Sequence, residues 1–405
     1  MMELKFYDPG IPPVNDYLTN IYFDALRHFC FDKGIGIELI SDLSSVKNSI
    51  VLLNASWLVD GIITKLKENG NTIVSFDIND NSVFTSVVPE AELNDIDLIF
   101  KIAGIQKTES SFEMMIDREL NYTREKQLFM GGNHKKYFEV IASNKVKALP
   151  HVPWGFRPVE NIKWAERKQK AIVRGGHHYQ RVHLLFQLLS KGLADGFSMF
   201  PGSMYFDHYC NDCKEALKNE GRITLANSKD RPCRLKYWTE GFNENGSWNN
   251  QCIPRYYDLA VIFNEKYGGV DIDLVQNIFN GKFITNWFDT ILNRYMFYAD
   301  MKWIFSIYTP PRFWEAAGAH TINLSPERLN DQEQFPAIKD GVHYLSYKED
   351  FSNIKEVIEG ITQEQFEFIT QNCFAIYKEW ILPNKYSISD KLLQYIIDGI
   401  ERSVQ

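Results

Sequence analysis

The chain has 405 residues, of which 44% are apolar, and its formal net charge is −8. This length exceeds one hydrophobic core of ordinary size and predicts two domains. The acidic balance disfavours a general polyanion binder, so nucleic acid stays open as a partner but is not favoured. Because the sequence has no apolar run of about 18 residues, no membrane span is expected.

The N-terminal stretch MMELKFYDPGIPPVND lacks a basic segment followed by an apolar core, so a secretory signal is not expected. The six cysteines are few for this length and favour reduced thiols in a cytoplasmic protein over a disulfide framework. A four-thiolate zinc site is an alternative, but the spacing differs from the usual two close pairs. The cysteines concerned are Cys210, Cys213, Cys233 and Cys252. We expect scattered thiols, no bound metal and no cofactor.

The first 150 residues alternate short apolar runs with helical periodicity. The predicted strands are LKFYDPG, GIELI, SIVLLNA, TIVSFDIND and IDLIFKIAG. The predicted helices are NDYLTNIYFDALRHFCFDKG and LVDGIITKLKENG, each ending at a glycine. Strands that alternate with helices of about 10–15 residues indicate a parallel sheet with helices on both faces. We therefore predict a Rossmann-like domain over residues 1–160.

A proline-rich crossing, ALPHVPWGFRPVENIKWAERKQK, precedes a second α/β unit. KAIVRGGHHYQRVHLLFQLLSKG predicts a strand, a glycine loop and a helix, and YYDLAVIFN, HTINL and VHYLSY predict further strands. This second Rossmann-like domain is expected over residues 161–380, with an irregular insertion near 196–250. Residues 381–405 predict an amphipathic helix, for which packing back on the N-terminal domain is one open arrangement.

A glycine loop follows the first predicted strand of the second unit, in IVRGGHHYQR. Arg174, Gly175 and Gly176 come directly after the strand, and the next helix contains Arg181. Glycines let backbone N–H groups approach an anion closely, and a helix start carries partial positive charge. The loop predicts a diphosphate site to which the two arginines add charge-assisted contacts. An ordinary turn with surface arginines is the alternative.

The stretch YTPPRFWEAAGAHTINL predicts a second point of contact for a phosphate. A helix is expected to start near Pro311, a residue that suits the first helical turn, and its N–H groups can receive phosphate oxygens. Glu315 lies one turn further, where a carboxylate can accept two ribose hydroxyls, and Arg312 lies on the same face. A local surface pair of little energetic value is the alternative.

These segments resemble the C-terminal half of spore-maturation-type glycosyltransferases, group 1 glycosyl transferases with the GT-B fold. RFWEAAGAHTINL resembles their helix start, small-residue cluster and apolar strand, and FPAIKDGVHYLSYKEDF resembles the turn and tyrosine-containing strand that follow. IVRGGHHYQRVHLLFQLL is similar to the first strand, loop and helix of the same domain, with Arg181 on the pattern's arginine. NGNTIVSFDIND resembles part of the N-terminal domain.

The resemblance implies an α/β fold of two Rossmann-like domains facing across a cleft, with a nucleoside-diphosphate sugar in the C-terminal domain and the acceptor in the N-terminal one. It also implies a hexosyl- or pentosyltransferase that binds no metal. The residues implied to hold the donor are Arg174, Gly175, Gly176, Arg181, Thr309 and Arg312 for the diphosphate, and Glu315 for the ribose.

If transfer inverts the anomeric centre, a general base must take the acceptor proton. The candidate catalytic residues are Asp16 in the first loop, and Asp77 and Asp80 after TIVSF. His134 and His177 are further options. Each of these residues also suits a helix cap or a solvated loop.

The acceptor is left open among a surface glycan, a protein, a small molecule and a modified DNA base. A sugar-nucleotide epimerase of the same architecture is an alternative enzyme, because it would need no acceptor. A nucleotide-sugar-binding protein without activity is the alternative outside enzymes, because a fold alone does not settle function.

Overall fold

A computed structural model of the chain describes most of both α/β units. The described residues are 3–8, 17–54, 61–77, 92–102, 104–106, 134–153, 157–175, 179–199, 260–261, 264–265, 268–274, 292–300 and 310–404. Within this part of the chain, no helix has the length and apolar character needed to cross a membrane.

The first α/β unit contains seven strands and three helices among the described residues. The strands are β1 (Glu3–Tyr7), β2 (Gly36–Ile40), β3 (Ile50–Leu53), β4 (Thr72–Asp77), β5 (Leu98–Lys101), β6 (Ile105–Gln106) and β7 (Val146–Ala148). The helices are α1 (Tyr17–Lys33), α2 (Ile62–Glu68) and α3 (His134–Ala142). Six of the strands form a parallel sheet in the order β2-β1-β3-β4-β5-β7.

The second unit builds another parallel sheet. Its strands are β8 (Lys168–Gly175), β9 (Ala194–Met199), β10 (Tyr295–Ala299), β11 (Ile322–Pro326), β12 (Gln332–Glu333) and β13 (Leu345–Tyr347). The remaining helices are α4 (Tyr179–Ser190), α5 (Pro311–Gly318), α6 (Ile354–Glu359), α7 (Gln363–Ile376) and α8 (Asp390–Val404). The sheet order is β13-β11-β10-β8-β9.

Alternating side chains divide the first sheet into two packed faces, as expected for strands with period two. Val74 and Phe76 of β4 belong to a core cluster with Ile396 of α8, whereas Ile73, the residue before Val74, belongs to another cluster with Ile63 of α2. Helix α8, the last in the chain, contacts α1, β4 and β5 and so packs on the first sheet.

The second sheet is also covered on both faces. Val173 of β8 packs in the cluster that contains Leu184 of α4, whereas Ile172 packs with Ala316 of α5. Both units therefore consist of a parallel sheet between helices, and the predicted pair of Rossmann-like sheets is confirmed. A short antiparallel ladder of β6 with β12 joins them, with Gln106 opposite Gln332.

One predicted strand is wrong. In YYDLAVIFN, residues Ala260 and Val261 are helical, and the central strand of the second sheet is β10 instead. Residues 196–199 of the expected insertion belong to β9, and residues 200–250 lie outside the described part. The domain limits at 1–160, 161–380 and 381–405 stay predictions.

Candidate functional site

The strand order of the second sheet marks a crevice at its carboxyl edge. Strand β9 lies on one side of β8 and β10 on the other, so the order reverses between β8 and β10. Open parallel sheets bind ligands outside the carboxyl ends of the strands at such a reversal. Gly175 is the last residue of β8, and Asp300 follows the last residue of β10. These two strand ends form the centre of the candidate site.

A buried carboxylate joins the elements on the two sides of this reversal. The Nε of Arg181, in the first turn of α4, donates to Oδ1 of Asp300 over 2.7 Å. The hydroxyl of Tyr298 in β10 donates to the other carboxylate oxygen, Oδ2, over 2.9 Å. The Arg181 side chain is 1% exposed and that of Asp300 is 9% exposed. The carboxylate therefore ties α4 to β10 at the crevice.

The charges around Asp300 are balanced by two arginines. Burial alone would raise the pKa of Asp300, but Arg181, Arg312 and the two hydrogen bonds hold that pKa below its usual value. Burial and the neighbouring Asp300 raise the pKa of Tyr298 well above its ordinary value. Asp300 therefore stays an anion and Tyr298 stays a neutral hydrogen-bond donor at neutral pH.

Helix α5 points its N-terminus at the same edge. Arg312, in its first turn, helps to lower the pKa of Asp300. His320 lies just beyond the last turn, at the opposite end, where burial and Arg167 at the start of β8 lower the pKa of His320. The N-cap residue of α5, Pro310, makes no side-chain capping hydrogen bond, and the first helical residue is Pro311. The helix start therefore presents partial positive charge together with a guanidinium beside the crevice.

A second group of charged residues lies further along this edge. Arg328 follows β11, and its Nε lies 3.1 Å from Oε1 of Glu349, which follows β13. Arg328 is 7% exposed. The hydroxyl of Tyr347 is fully buried and has no hydrogen-bond partner among the described residues. Its pKa is raised well above the ordinary value by burial and by Asp300 and Glu349, against the opposing effect of Arg328.

The residues predicted to hold the donor are partly brought together. Arg174 and Gly175 end β8, and the side chain of Arg174 lies outside the described part, as do Gly176 and Thr309. Arg312 and Glu315 are half-buried on α5.

Arg181 is the predicted donor residue that the structure places differently in detail. It lies at the crevice, but its guanidinium is buried and contacts Asp300 through Nε. Its contact with a diphosphate stays a prediction, and the observed geometry favours a role in which Arg181 supports the site through its contact with Asp300.

The predicted catalytic acids belong to the first sheet. Asp77 ends β4, and its Oδ2 accepts a hydrogen bond from Nζ of Lys101 in the neighbouring β5 over 2.9 Å. The Lys101 side chain is fully buried and that of Asp77 is 11% exposed. Asp16, Asp80 and His177 lie outside the described residues, as does the side chain of His134, which begins α3.

Sequence reasoning missed Asp300 and Tyr298, together with Arg328 and Glu349. The signal for Asp300 was present, because an acid directly follows the buried apolar run YMFYA, as Asp77 follows TIVSF. In the part of the chain that the structure covers, no three potential metal ligands come together. The four cysteines of the alternative zinc site lie outside that part.

Comparison with known proteins gives structural likenesses only. Neither a protein-family model nor a curated protein matches the sequence. HepE from Anabaena, in complex with UDP and glucose, is 9% identical with a TM-score of 0.42 over 99% of this chain and 100% of that chain. Sucrose-phosphate synthase from Thermosynechococcus elongatus is 10% identical with a TM-score of 0.42, covering 100% of this chain and 99% of that chain.

The β-glucosyltransferase of phage T4 is also similar, at 11% identity and a TM-score of 0.38, over 99% of this chain and 98% of that chain. At these identities and TM-scores the likenesses carry no argument about chemistry. The function is therefore inferred from the residues of the candidate site.

Proposed function

We propose that the protein is a glycosyltransferase that takes a hexosyl or pentosyl group from a nucleoside-diphosphate sugar bound at the carboxyl edge of the second sheet. The observation that carries the proposal is the meeting of three features at the β8–β10 reversal. These are the glycine that ends β8, the N-terminus of α5, and the half-buried pair Arg312 and Glu315. A diphosphate needs the first two, and a ribose diol suits the carboxylate.

Charge development explains why such a site accelerates transfer. The acceptor oxygen forms a bond to the anomeric carbon while the bond from that carbon to the diphosphate oxygen breaks. The electron pair of the broken bond stays on the diphosphate, so negative charge grows there. A fixed guanidinium and a helix start aimed at the leaving group lower the barrier without reorganisation. Arg312 and the N-terminus of α5 fill this role, and no metal ion is part of the proposal.

The acceptor proton must pass to a base on the first sheet. That sheet reverses its order between β1 and β3, so its crevice is expected at the carboxyl ends of these two strands. Asp16 comes between β1 and α1 in the sequence, directly before α1, and is the proposed base. Asp80 is the next candidate. Asp77 is the least suited of the three, because Lys101 already holds its carboxylate. The acceptor itself and a cytoplasmic location stay predictions.

A thermal-shift panel of UDP-, GDP-, ADP- and CMP-sugars tests the donor site. Binding at a ligand concentration of about 100 times Kd stabilises the folded state by about 2.7 kcal/mol, so one nucleotide class is expected to raise Tm. Glu315→Ala and Arg312→Ala are each expected to weaken that nucleotide by about 10- to 100-fold, since hydrogen bonds to charged groups contribute about 1.5–3 kcal/mol.

Two control variants each remove a charge of the same sign outside the proposed donor site. Glu356→Ala removes an exposed carboxylate from α6, and Arg157→Ala removes an exposed arginine. Both are expected to keep the wild-type shift. Normal stabilisation in Glu315→Ala and Arg312→Ala, or no shift with any nucleotide sugar, would refute the donor site. Release of nucleoside diphosphate only when an acceptor is added would then separate transfer from epimerisation.

A further inference from the structure

The carboxylate of Asp300 connects three elements that border the β8–β10 crevice. It accepts hydrogen bonds from Arg181 in α4 and Tyr298 in β10, and it attracts Arg312 in α5. Arg181 and Arg312 lie in the first turns of the two helices that flank the crevice. The separation between these first turns sets where a diphosphate can be held. A buried anion between the two helices therefore fixes the width of the proposed donor site.

We propose that Asp300 is a positioning residue for nucleotide binding, which holds Arg181 and Tyr298 in place and aims Arg312 at the diphosphate. This inference rests on the proposed function, because it assigns a role within the same site. Asp300 itself does not bind the donor: its carboxylate is an anion with both oxygens already accepting hydrogen bonds, and a diphosphate is repelled by it. Its effect passes through the arginines.

The alternative is that Arg181 binds the diphosphate directly, as the sequence pattern predicts. Its 1% exposure and its 2.7 Å contact with Asp300 favour the positioning arrangement. The two arrangements predict opposite effects of the same substitution. If Arg181 is a direct ligand, removing the charge of Asp300 releases the guanidinium and strengthens diphosphate binding. If Asp300 positions the site, the same change weakens binding.

Buried ion pairs often have a purely structural role, so the experiment must measure nucleotide affinity as well as stability. Removing one member of a buried ion pair destabilises the fold, whereas removing both charges is often close to neutral. Asp300→Asn combined with Arg181→Met therefore restores much of the Tm that Asp300→Asn loses. A positioning role predicts that the double variant regains Tm but not affinity. A structural role predicts that both return together.

Arg167 provides a matched control on the same sheet. It is buried at the opposite, amino edge, where its guanidinium donates to the carbonyl of Tyr295 over 3.2 Å and to Asn161 over 3.0 Å. Arg167→Met is expected to lower Tm and to leave nucleotide affinity within about twofold of wild type, because the crevice lies at the other end of the strands.

The test measures Kd for UDP, GDP and ADP by calorimetry, alongside Tm without ligand, for wild type, Asp300→Asn, Tyr298→Phe, the double variant and the Arg167→Met control. Asp300→Asn and the double variant are expected to bind the preferred diphosphate about tenfold or more weakly, and Tyr298→Phe is expected to bind it a few-fold more weakly. If Asp300→Asn fails to fold, Tyr298→Phe keeps the test valid, because it removes one hydrogen bond to Asp300 and leaves Arg181 in place.

Three other results would overturn the inference, and each points to a different explanation. Tighter binding in Asp300→Asn would identify Arg181 as the direct ligand. Unchanged affinity in both Asp300 variants would leave the carboxylate with a structural part only, while the donor site itself stands. A wild-type protein that binds none of the three diphosphates would overturn the proposed function together with this inference.

Discussion

The ion pair between Lys101 and Asp77 allows a sharp test of which acids serve catalysis. Lys101 is fully buried, and its Nζ lies 2.9 Å from Oδ2 of Asp77. With an effective dielectric constant of about 20, the attraction over this distance is about 6 kcal/mol, which desolvation of both groups partly offsets. Asp77→Asn leaves the buried ammonium without that negative charge. We therefore expect the free energy of unfolding to fall by about 3–5 kcal/mol.

A double-mutant cycle measures this pair. Urea unfolding of wild type, Asp77→Leu, Lys101→Met and the variant carrying both substitutions gives the four free energies of unfolding that the cycle needs, and Asp77→Asn is measured alongside them. Replacing both charges by apolar side chains is expected to restore stability to within about 1 kcal/mol of wild type, because no buried charge is then left alone. Donor turnover with acceptor present is expected to return in the double variant, because Asp77 acts here as a structural partner.

Two results would refute this reasoning. An Asp77→Asn variant as stable as wild type would mean that the pair contributes nothing to folding. A double variant that is stable and binds nucleotide, yet transfers no sugar, would make Asp77 the catalytic base and would remove the argument from strand order that favours Asp16.

Two further predictions concern packing and pH. Gly399→Ala is expected to lower the free energy of unfolding by about 1 kcal/mol, because the new Cβ would lie 3.0 Å from the buried ring of Phe100. This cost exceeds the gain in helix propensity, which is about 1 kcal/mol. A variant that is more stable than wild type in urea unfolding would contradict this. Burial, with Arg167 nearby, lowers the pKa of His320 to about 4 from 6.5, so stability is complete above pH 6.5 and is lost as the pH falls towards 4. We expect the free energy of unfolding to fall by about 1–2 kcal/mol between pH 7 and pH 5 in wild type but not in His320→Asn. Asparagine is chosen because it tolerates the φ of 53° at this position. Equal losses in both proteins would exclude His320 as the cause.

The first sheet was predictable because its strands are short, apolar and bounded by turn residues. TIVSFD and DLIFK alternate with helical segments, and these patterns place β4 and β5 correctly. The strand predicted for YYDLAVIFN was wrong because a short apolar run fits a buried helix as well as a buried strand. Gly268 and Gly269 follow it with φ of 69° and 75°, and such a pair marks the end of a helix. YMFYA, the true central strand, follows a turn at Asn293 and Arg294, but its run of five apolar residues was not recognised as a strand.

The candidate site was predictable only where local sequence defines it. Gly175 after a strand, and Arg312 with Glu315 at a helix start, are neighbours along the chain and could be recognised as a unit. Arg181 and Asp300 are 119 residues apart, and only the strand order brings them together. Once β10 was missed, the acid that follows it could not be assigned to a strand end.

The two sheets use the same chemistry at different places, and the difference separates structure from function. Each has an acid at the end of a strand paired with a buried cation: Asp77 with Lys101, and Asp300 with Arg181. The first pair joins β4 to β5, adjacent strands on one side of the reversal. The second pair spans the reversal between β8 and β10, where a ligand can enter. Both pairs support the fold, but only the second lies at the proposed donor site, where we expect a change in its geometry to alter nucleotide binding.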